Sequence, residues 1–139
     1  CAVDNRPGAV GLFPHVRETL QALHQRGYLL SIATSRGRAS LEAFLRDMQL
    51  MPYISHIVTV NDVERAKPYP DMVDTTLSHF RISPEDTLMV GDAIYDIQMG
   101  RNAGVQTCGV TYGNGTRAQM EACAADHIID DIADILNLV

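Results

Sequence analysis

Apolar and polar positions along this chain switch repeatedly between a helical and a strand period. Val16, Leu20 and Leu23 recur at i, i+4 and i+7, which predicts a helix opened by Pro14 and closed by Gly27. Residues 28–33 are apolar enough for a buried strand and end in Thr34-Ser35-Arg36-Gly37. A second helix carries Leu41, Phe44, Leu45 and Met48 on one face, and a strand over residues 57–60 is closed by Asn61-Asp62. Pro68 and Pro70 keep the residues before them extended, after which Pro70 serves as the first residue of a helix bearing Met72, Val73, Thr76, Leu77 and Phe80.

The strongest buried-strand signal is Leu88-Met89-Val90, stopped by Gly91-Asp92. A helix from about Ala93 ends at Gly104, and a strand over 105–112 runs into Gly113-Asn114-Gly115, the mark of a turn. A short helix over 118–124, a strand over 127–129 and a last helix over 131–138 complete the order. Strands alternating with helices of this length imply right-handed crossovers and a doubly wound, mainly parallel, Rossmann-like α/β sheet. Residues 1–12 show no sustained period and read as a linker, leaving 13–139 as one α/β domain.

Composition narrows the class. The chain has 139 residues, a net charge of −6 and no basic stripe, which argues against nucleic acid as a partner. No apolar run approaches the roughly 20 residues of a membrane span. Cys1, Cys108 and Cys123 are odd in number and lack C-x-x-C spacing, so they predict reduced thiols and a cytoplasmic setting. His15, His24, His56, His79 and His127 are scattered, none at metal-ligand spacing. A nucleophile elbow and a Walker-type phosphate loop are both absent from the sequence.

Candidate chemistry collects at strand ends. Thr34 and Ser35 follow one strand, Asp92 and Asp96 follow another, and Lys67 precedes the helix between them. Each has an ordinary alternative: Thr34 or Ser35 as a helix cap, Lys67 as a solvated lysine, Asp92 as a cap with Asp96 favouring the helix N-terminus. In a parallel sheet all of them converge on one edge. There a hydroxyl, a backbone N–H, an ammonium and a cation such as Mg²⁺, held by the carboxylate pair Asp92 and Asp96, form a cradle for a phosphoryl group.

In these residues the sequence resembles the haloacid dehalogenase superfamily of hydrolases, in its phosphoglycolate-phosphatase-like branch. Leu30-Ser31-Ile32-Ala33-Thr34-Ser35 is similar to the family's second motif and Lys67-Pro68 to its third. Gly91-Asp92-Ala93-Ile94-Tyr95-Asp96 with Asn102-Ala103-Gly104 is similar to the fourth. Phe13-Pro14-His15-Val16 resembles the segment that re-enters the core after a mobile cap, and Val110-Thr111-Tyr112-Gly113 adds to the match. The resemblance implies a Mg²⁺-dependent phosphatase acting on a small phosphorylated metabolite through an aspartyl-phosphate. Thr34 and the Ser35 N–H would hold the transferring group, Lys67 would neutralise it, Asp92 would ligate Mg²⁺, and Asp96 would hold Lys67 or a metal-bound water.

One family feature has no counterpart in this sequence. Members begin with an apolar strand ending in D-x-D-x-T, the source of the nucleophile; Asp4, in Ala2-Val3-Asp4-Asn5-Arg6, does not reproduce it and reads as linker. The cap is missing too, so residues 1–12 are a linker or a cap remnant in a truncated chain that should be inactive alone. The resemblance places the absent strand between those ending at Thr34 and Asp92. The expectations are that these two strands pair directly, borrow an extended segment from residues 1–8, or self-associate with another chain through the gap. A non-catalytic phosphate- or partner-binding module on the same scaffold is the alternative; a receiver-type domain would need its acidic cluster near the first strand.

Overall fold

A computed structural model describes residues 3–4, 11–12 and 15–139, with side chains from His15 onward. Val3–Asp4 (β1) pairs antiparallel with Gly11–Leu12 (β2), Val3 opposite Leu12, inside the stretch expected to be a linker. Phe13 and Pro14, expected to lead into the first helix, lie outside the described residues. From Val16 the chain runs α1 (Val16–Gln25), β3 (Ser31–Thr34), α2 (Arg38–Asp47), β4 (His56–Thr59), α3 (Asp71–Phe80), β5 (Leu88–Gly91), α4 (Ile94–Ala103), β6 (Gln106–Val110), α5 (Arg117–Ala122) and β7 (His127–Ile129). A 3-10 segment, Ile132–Asn137, stands where the last helix was expected.

Each boundary has a local cause. Gly27 and Gly104 take up positive φ and end α1 and α4, a conformation with no Cβ penalty. Strand β3 begins three residues later than residues 28–33 suggested, its ladder with β4 opening at Ser31 opposite His56; Tyr28 and Leu29 are left exposed. The strand end at Thr59 is closed by Asp62, whose Oδ2 accepts the Thr59 N–H at 2.8 Å. That backbone bond, with the Arg38 guanidinium, holds the Asp62 carboxyl below the usual carboxylate range.

All sheet pairing from β3 onward is parallel, and the fold is mixed α/β as the alternation implied. The sheet is nevertheless divided. Among the described residues β3 pairs only with β4, while β5, β6 and β7 form a separate set in the order β5-β6-β7. Direct pairing of β3 with β5, one of the expectations above, is not observed; β1 pairs with β2 rather than with either of them. Helices cover both faces. On one face α3 packs on β4 and β3 and also on α4, which in turn covers β5 and β6. On the other, α1 packs Val16 and Leu23 with Cys108, Val110, Ile129, Ile132 and Ile135, while Leu20 also reaches the cluster formed by Leu41, Phe44, Leu45 and Leu50. Both layers bridge the two strand sets, α3 against α4 on one face and α1 on the other.

Between them runs a cavity of about 1090 Å³, lined by Leu30, Ile32 and Thr34 on one side and by Leu88, Val90 and Asp92 on the other. Among the described residues no helix is long and apolar enough to cross a membrane.

Candidate active site

The mouth of this cavity lies at the carboxyl ends of β3 and β5, and every sequence-expected site residue lines it: Thr34, Ser35, Lys67, Asp92 and Asp96. A parallel sheet makes this convergence, since the carboxyl ends of its strands share one edge. Thr34 is the last residue of β3, and its Oγ1 accepts the Arg36 backbone N–H at 3.0 Å. With a lone pair occupied in that way, the hydroxyl proton of Thr34 remains available to an outside acceptor.

Lys67 comes from the loop before α3. Its Nζ lies 2.5 Å from Asp96 Oδ1, with the two side chains 19% and 6% exposed. The other Asp96 oxygen, Oδ2, accepts the Ala93 N–H at 3.2 Å, which also caps the start of α4. The Lys67–Pro68 peptide is cis, and the Pro68 carbonyl accepts from Asn102 Nδ2 at 2.8 Å. Two side chains of α4 therefore hold the lysine-bearing loop. A Cβ at Gly91 would come within 2.2 Å of Asp96 Cβ, so only glycine lets the strand end and this carboxylate approach so closely.

Asp92 is buried just after β5, and its Oδ2 accepts the Asn114 N–H at 3.4 Å. Its backbone carbonyl accepts the Gly115 N–H at 2.6 Å. The sequence showed only a turn at Gly113-Asn114-Gly115, yet that turn is what clasps Asp92; a Cβ on Gly113 would fall 2.3 Å from Asp92 Oδ2. Two glycines flanking an asparagine at a strand end were the signal for this close approach. Burial, and after it the charges of Asp92 and Asp131, push the Tyr112 phenol well above its usual range, so it stays protonated beside the carboxylate.

The expected metal pair is arranged unequally. Both oxygens of Asp96 are engaged, by Lys67 and by the Ala93 N–H, whereas Asp92 Oδ1 carries no hydrogen bond among the described residues. Nor do those residues include any group of three or more His, Cys, Asp or Glu side chains placed to hold a metal. This donor set still fits Mg²⁺, which takes one or two carboxylates and completes its shell with water and substrate phosphate oxygens. Cys108 has no part in such chemistry: burial pushes its thiol up to about 11.

The profile of the haloacid dehalogenase-like hydrolases matches residues 4–110. The chain belongs to that family. The match begins at Asp4, within the stretch read as linker. Among curated relatives, a pyrophosphatase PpaX of Bacillus mycoides (strain KBAB4) is 37% identical over 124 residues, covering 89% of this chain and 58% of the relative. The PpaX pyrophosphatase of Bacillus cereus (strain ATCC 10987 / NRS 248) is 35% identical over 136 residues, covering 98% and 63%. A predicted phosphoglycolate phosphatase from Haemophilus somnus 129PT superposes with a TM-score of 0.88 at 30% identity, covering 95% of this chain and 59% of that one. A HAD-superfamily hydrolase of subfamily IA from Geobacter sulfurreducens PCA superposes at 0.78 with 27% identity, covering 92% and 61%. This member of the family thus spans 58–63% of the length of these relatives.

Proposed function

We propose that this chain forms the phosphoryl-gripping part of a Mg²⁺-dependent phosphatase, phosphoglycolate-phosphatase-like, that hydrolyses a small phosphate ester or anhydride through an aspartyl-phosphate. The observation that carries the reading is the meeting of Thr34, Lys67, Asp92 and Asp96 at one cavity mouth, with the lysine held by a carboxylate. Phosphoryl transfer asks little covalent chemistry of a protein; it asks for positioning and for compensation of charge on the equatorial oxygens. The Thr34 hydroxyl donates to one such oxygen, helped by the Ser35 N–H, and the Lys67 ammonium neutralises another. Asp96 acts on Lys67, fixing the rotamer that aims its ammonium at the mouth. Asp92 would hold Mg²⁺, which supplies Lewis-acid compensation for the phosphoryl charge when bound.

The nucleophilic carboxylate, in this reading, arrives on an extended segment lying in the cavity between β3 and β5, whose free edges offer it backbone partners on both sides. The test is to assay phosphate release from p-nitrophenyl phosphate with Mg²⁺, first with the chain alone and then with an added peptide made of an apolar run ending in D-x-D-x-T. Turnover should require the peptide and Mg²⁺, and should vanish with Lys67→Ala or with asparagine in place of the peptide's first aspartate. Turnover by the chain alone, abolished by Asp4→Asn, would contradict the external nucleophile. Mg²⁺-dependent phosphate binding with no turnover in any mixture would favour the non-catalytic binding module.

A further inference from the structure

The cavity between β3 and β5 extends past the amino ends of these strands, opposite the mouth. Tyr28 and Leu29 precede β3 there, Glu85 and Asp86 precede β5, and all four line the cavity, as do Leu138 and Val139. Two contacts locate this last pair. His15, before α1, meets Asp131 at 2.6 Å, and Arg26, just past its end, donates to the Leu136 carbonyl at 3.0 Å. The chain from Asp131 therefore follows α1 toward the amino end of β3 and carries Leu138 and Val139 there.

This end is apolar and acidic. Tyr28, Leu29, Leu138 and Val139 are exposed; the other large exposed apolar side chains among the described residues, Tyr69 and Tyr95, adjoin Pro68 and Asp96 at the mouth. The lysine and arginine that line the cavity among the described residues, Lys67 and Arg36, belong to the mouth. Glu85 and Asp86 are exposed and form no ion pair with a described residue. Thr19 on α1 also lines the cavity, is buried, and has no hydrogen-bond partner for its Oγ1 among the described residues. That hydroxyl and the free edges of β3 and β5 call for an occupant that brings hydrogen-bonding groups, as a peptide does and a lipid chain does not.

We propose that Tyr28, Leu29, Leu138 and Val139, with Glu85 and Asp86, form a collar that recognises the flank of the inserted peptide segment ahead of its sheet-pairing part. The collar selects a large apolar residue led by lysine or arginine. The inference rests on the reading that an extended segment lies between β3 and β5, and adds to it what must precede that segment. A segment whose acidic end reaches the mouth runs parallel to both strands, so its amino-terminal flank emerges at the collar. At about 3.3 Å per residue, the flank opposite Tyr28 and Leu29 lies just ahead of the part that pairs with Ser31 onward. There its apolar side chain is covered by the collar and its cations meet Glu85 and Asp86.

Fluorescence anisotropy with labelled peptides tests this. The probes share the run V-V-V-V-D-V-D-G-T and differ in the flank before it, K-K-I, K-K-S or E-E-I. The K-K-I probe should bind about tenfold tighter than K-K-S, the span expected for covering one large apolar side chain. It should bind about two- to fivefold tighter than E-E-I, a gap that closes in high salt. Leu29→Ser should erase the advantage of K-K-I over K-K-S while leaving K-K-S affinity and the melting temperature unchanged. Glu85→Gln with Asp86→Asn should erase only the gap to E-E-I, and Tyr95→Ser, at the opposite end, should alter neither preference. Equal binding of all flanks, equal weakening of all probes by Leu29→Ser, or loss of the apolar preference with Tyr95→Ser in place of Leu29→Ser overturns the collar and leaves the inserted segment standing. Failure of every probe to bind overturns the inserted segment itself, and this inference with it.

Discussion

The two halves of the divided sheet differ in what surrounds their strands. In the three-stranded half β6 is paired on both sides, and Thr107, Cys108 and Val110 are fully buried. In the two-stranded half β3 and β4 each have one partner, and no residue of β3 is fully buried. Across the gap β5 shares the condition of β3: Leu88, Met89 and Val90 read in sequence as the most buried strand in the chain, yet all three are only half-buried. Apolar composition marks which residues are suited to a core. Burial itself depends on what covers a strand, and on the cavity side of β3 and β5 the described residues supply no neighbouring strand.

The halves are joined at the mouth by the contacts that organise the site. Lys67 and Pro68 belong to the loop leading into α3, on the two-stranded side; Asp96 and Asn102 belong to α4, on the three-stranded side. The ion pair is thus both a clamp on the lysine and a tie between halves. Severing it should destabilise the chain more than truncating a strand valine inside either half. Asp96→Ala leaves Lys67 without its carboxylate in a largely buried position and should cost about 3 kcal/mol in urea unfolding. A cost under about 1 kcal/mol would mean that the tie is no stronger than a surface ion pair.

A matched pair of truncations sharpens the contrast between flanked and open strands. Val110→Ala in β6 removes methyl groups from a fully buried site and should cost about 2 kcal/mol, whereas Val90→Ala in β5, beside the cavity, should cost about half as much, or about 1 kcal/mol. Equal costs would show the cavity wall to be as well packed as the centre of the sheet.

The two-stranded half also carries a titrating group. His56 on β4 stacks on His79 with ring centroids 4.0 Å apart, and Phe80 meets both rings edge-on. Burial lowers the His56 pKa, the neighbouring His79 and Arg38 lower it further, and Asp62 opposes them. The folded chain therefore takes up this proton less readily than the unfolded chain. Stability from this group is complete above the ordinary histidine pKa of about 6.5 and is lost as pH falls through the lower folded value. The urea midpoint should be lower at pH 5.5 than at pH 7.5, and His56→Gln should shrink the difference. Smallest of all should be Arg65→Ala, which removes a solvent-facing pair with Asp71 inside one half and should leave the urea midpoint nearly unchanged, against the large loss at Asp96.

The order of elements was legible in the sequence because periodicity and turn residues report local structure. Thr34, Lys67, Asp92 and Asp96 were legible as well, because each sits beside a strand end or helix start that the pattern already marked. What escaped was set by tertiary contact. The late start of β3 depends on where β4 can pair, and the grip of Asn114 on Asp92 depends on a glycine whose neighbour is remote in sequence. The contact of Asp96 with Lys67 across the gap was implied by the family resemblance and not by the pattern itself. None of these leaves a trace in spacing alone.

In the proposed function, two strand ends from separate halves make one phosphate-binding mouth. Titration of the isotope-labelled chain with inorganic phosphate and Mg²⁺, followed through its backbone amide resonances, tests this most directly. Perturbations that saturate together at Ser35 and Arg36 on one side and at Lys67 and Ala93 on the other are the expected result. Saturable shifts confined to one half, or no shifts at these amides, would contradict it.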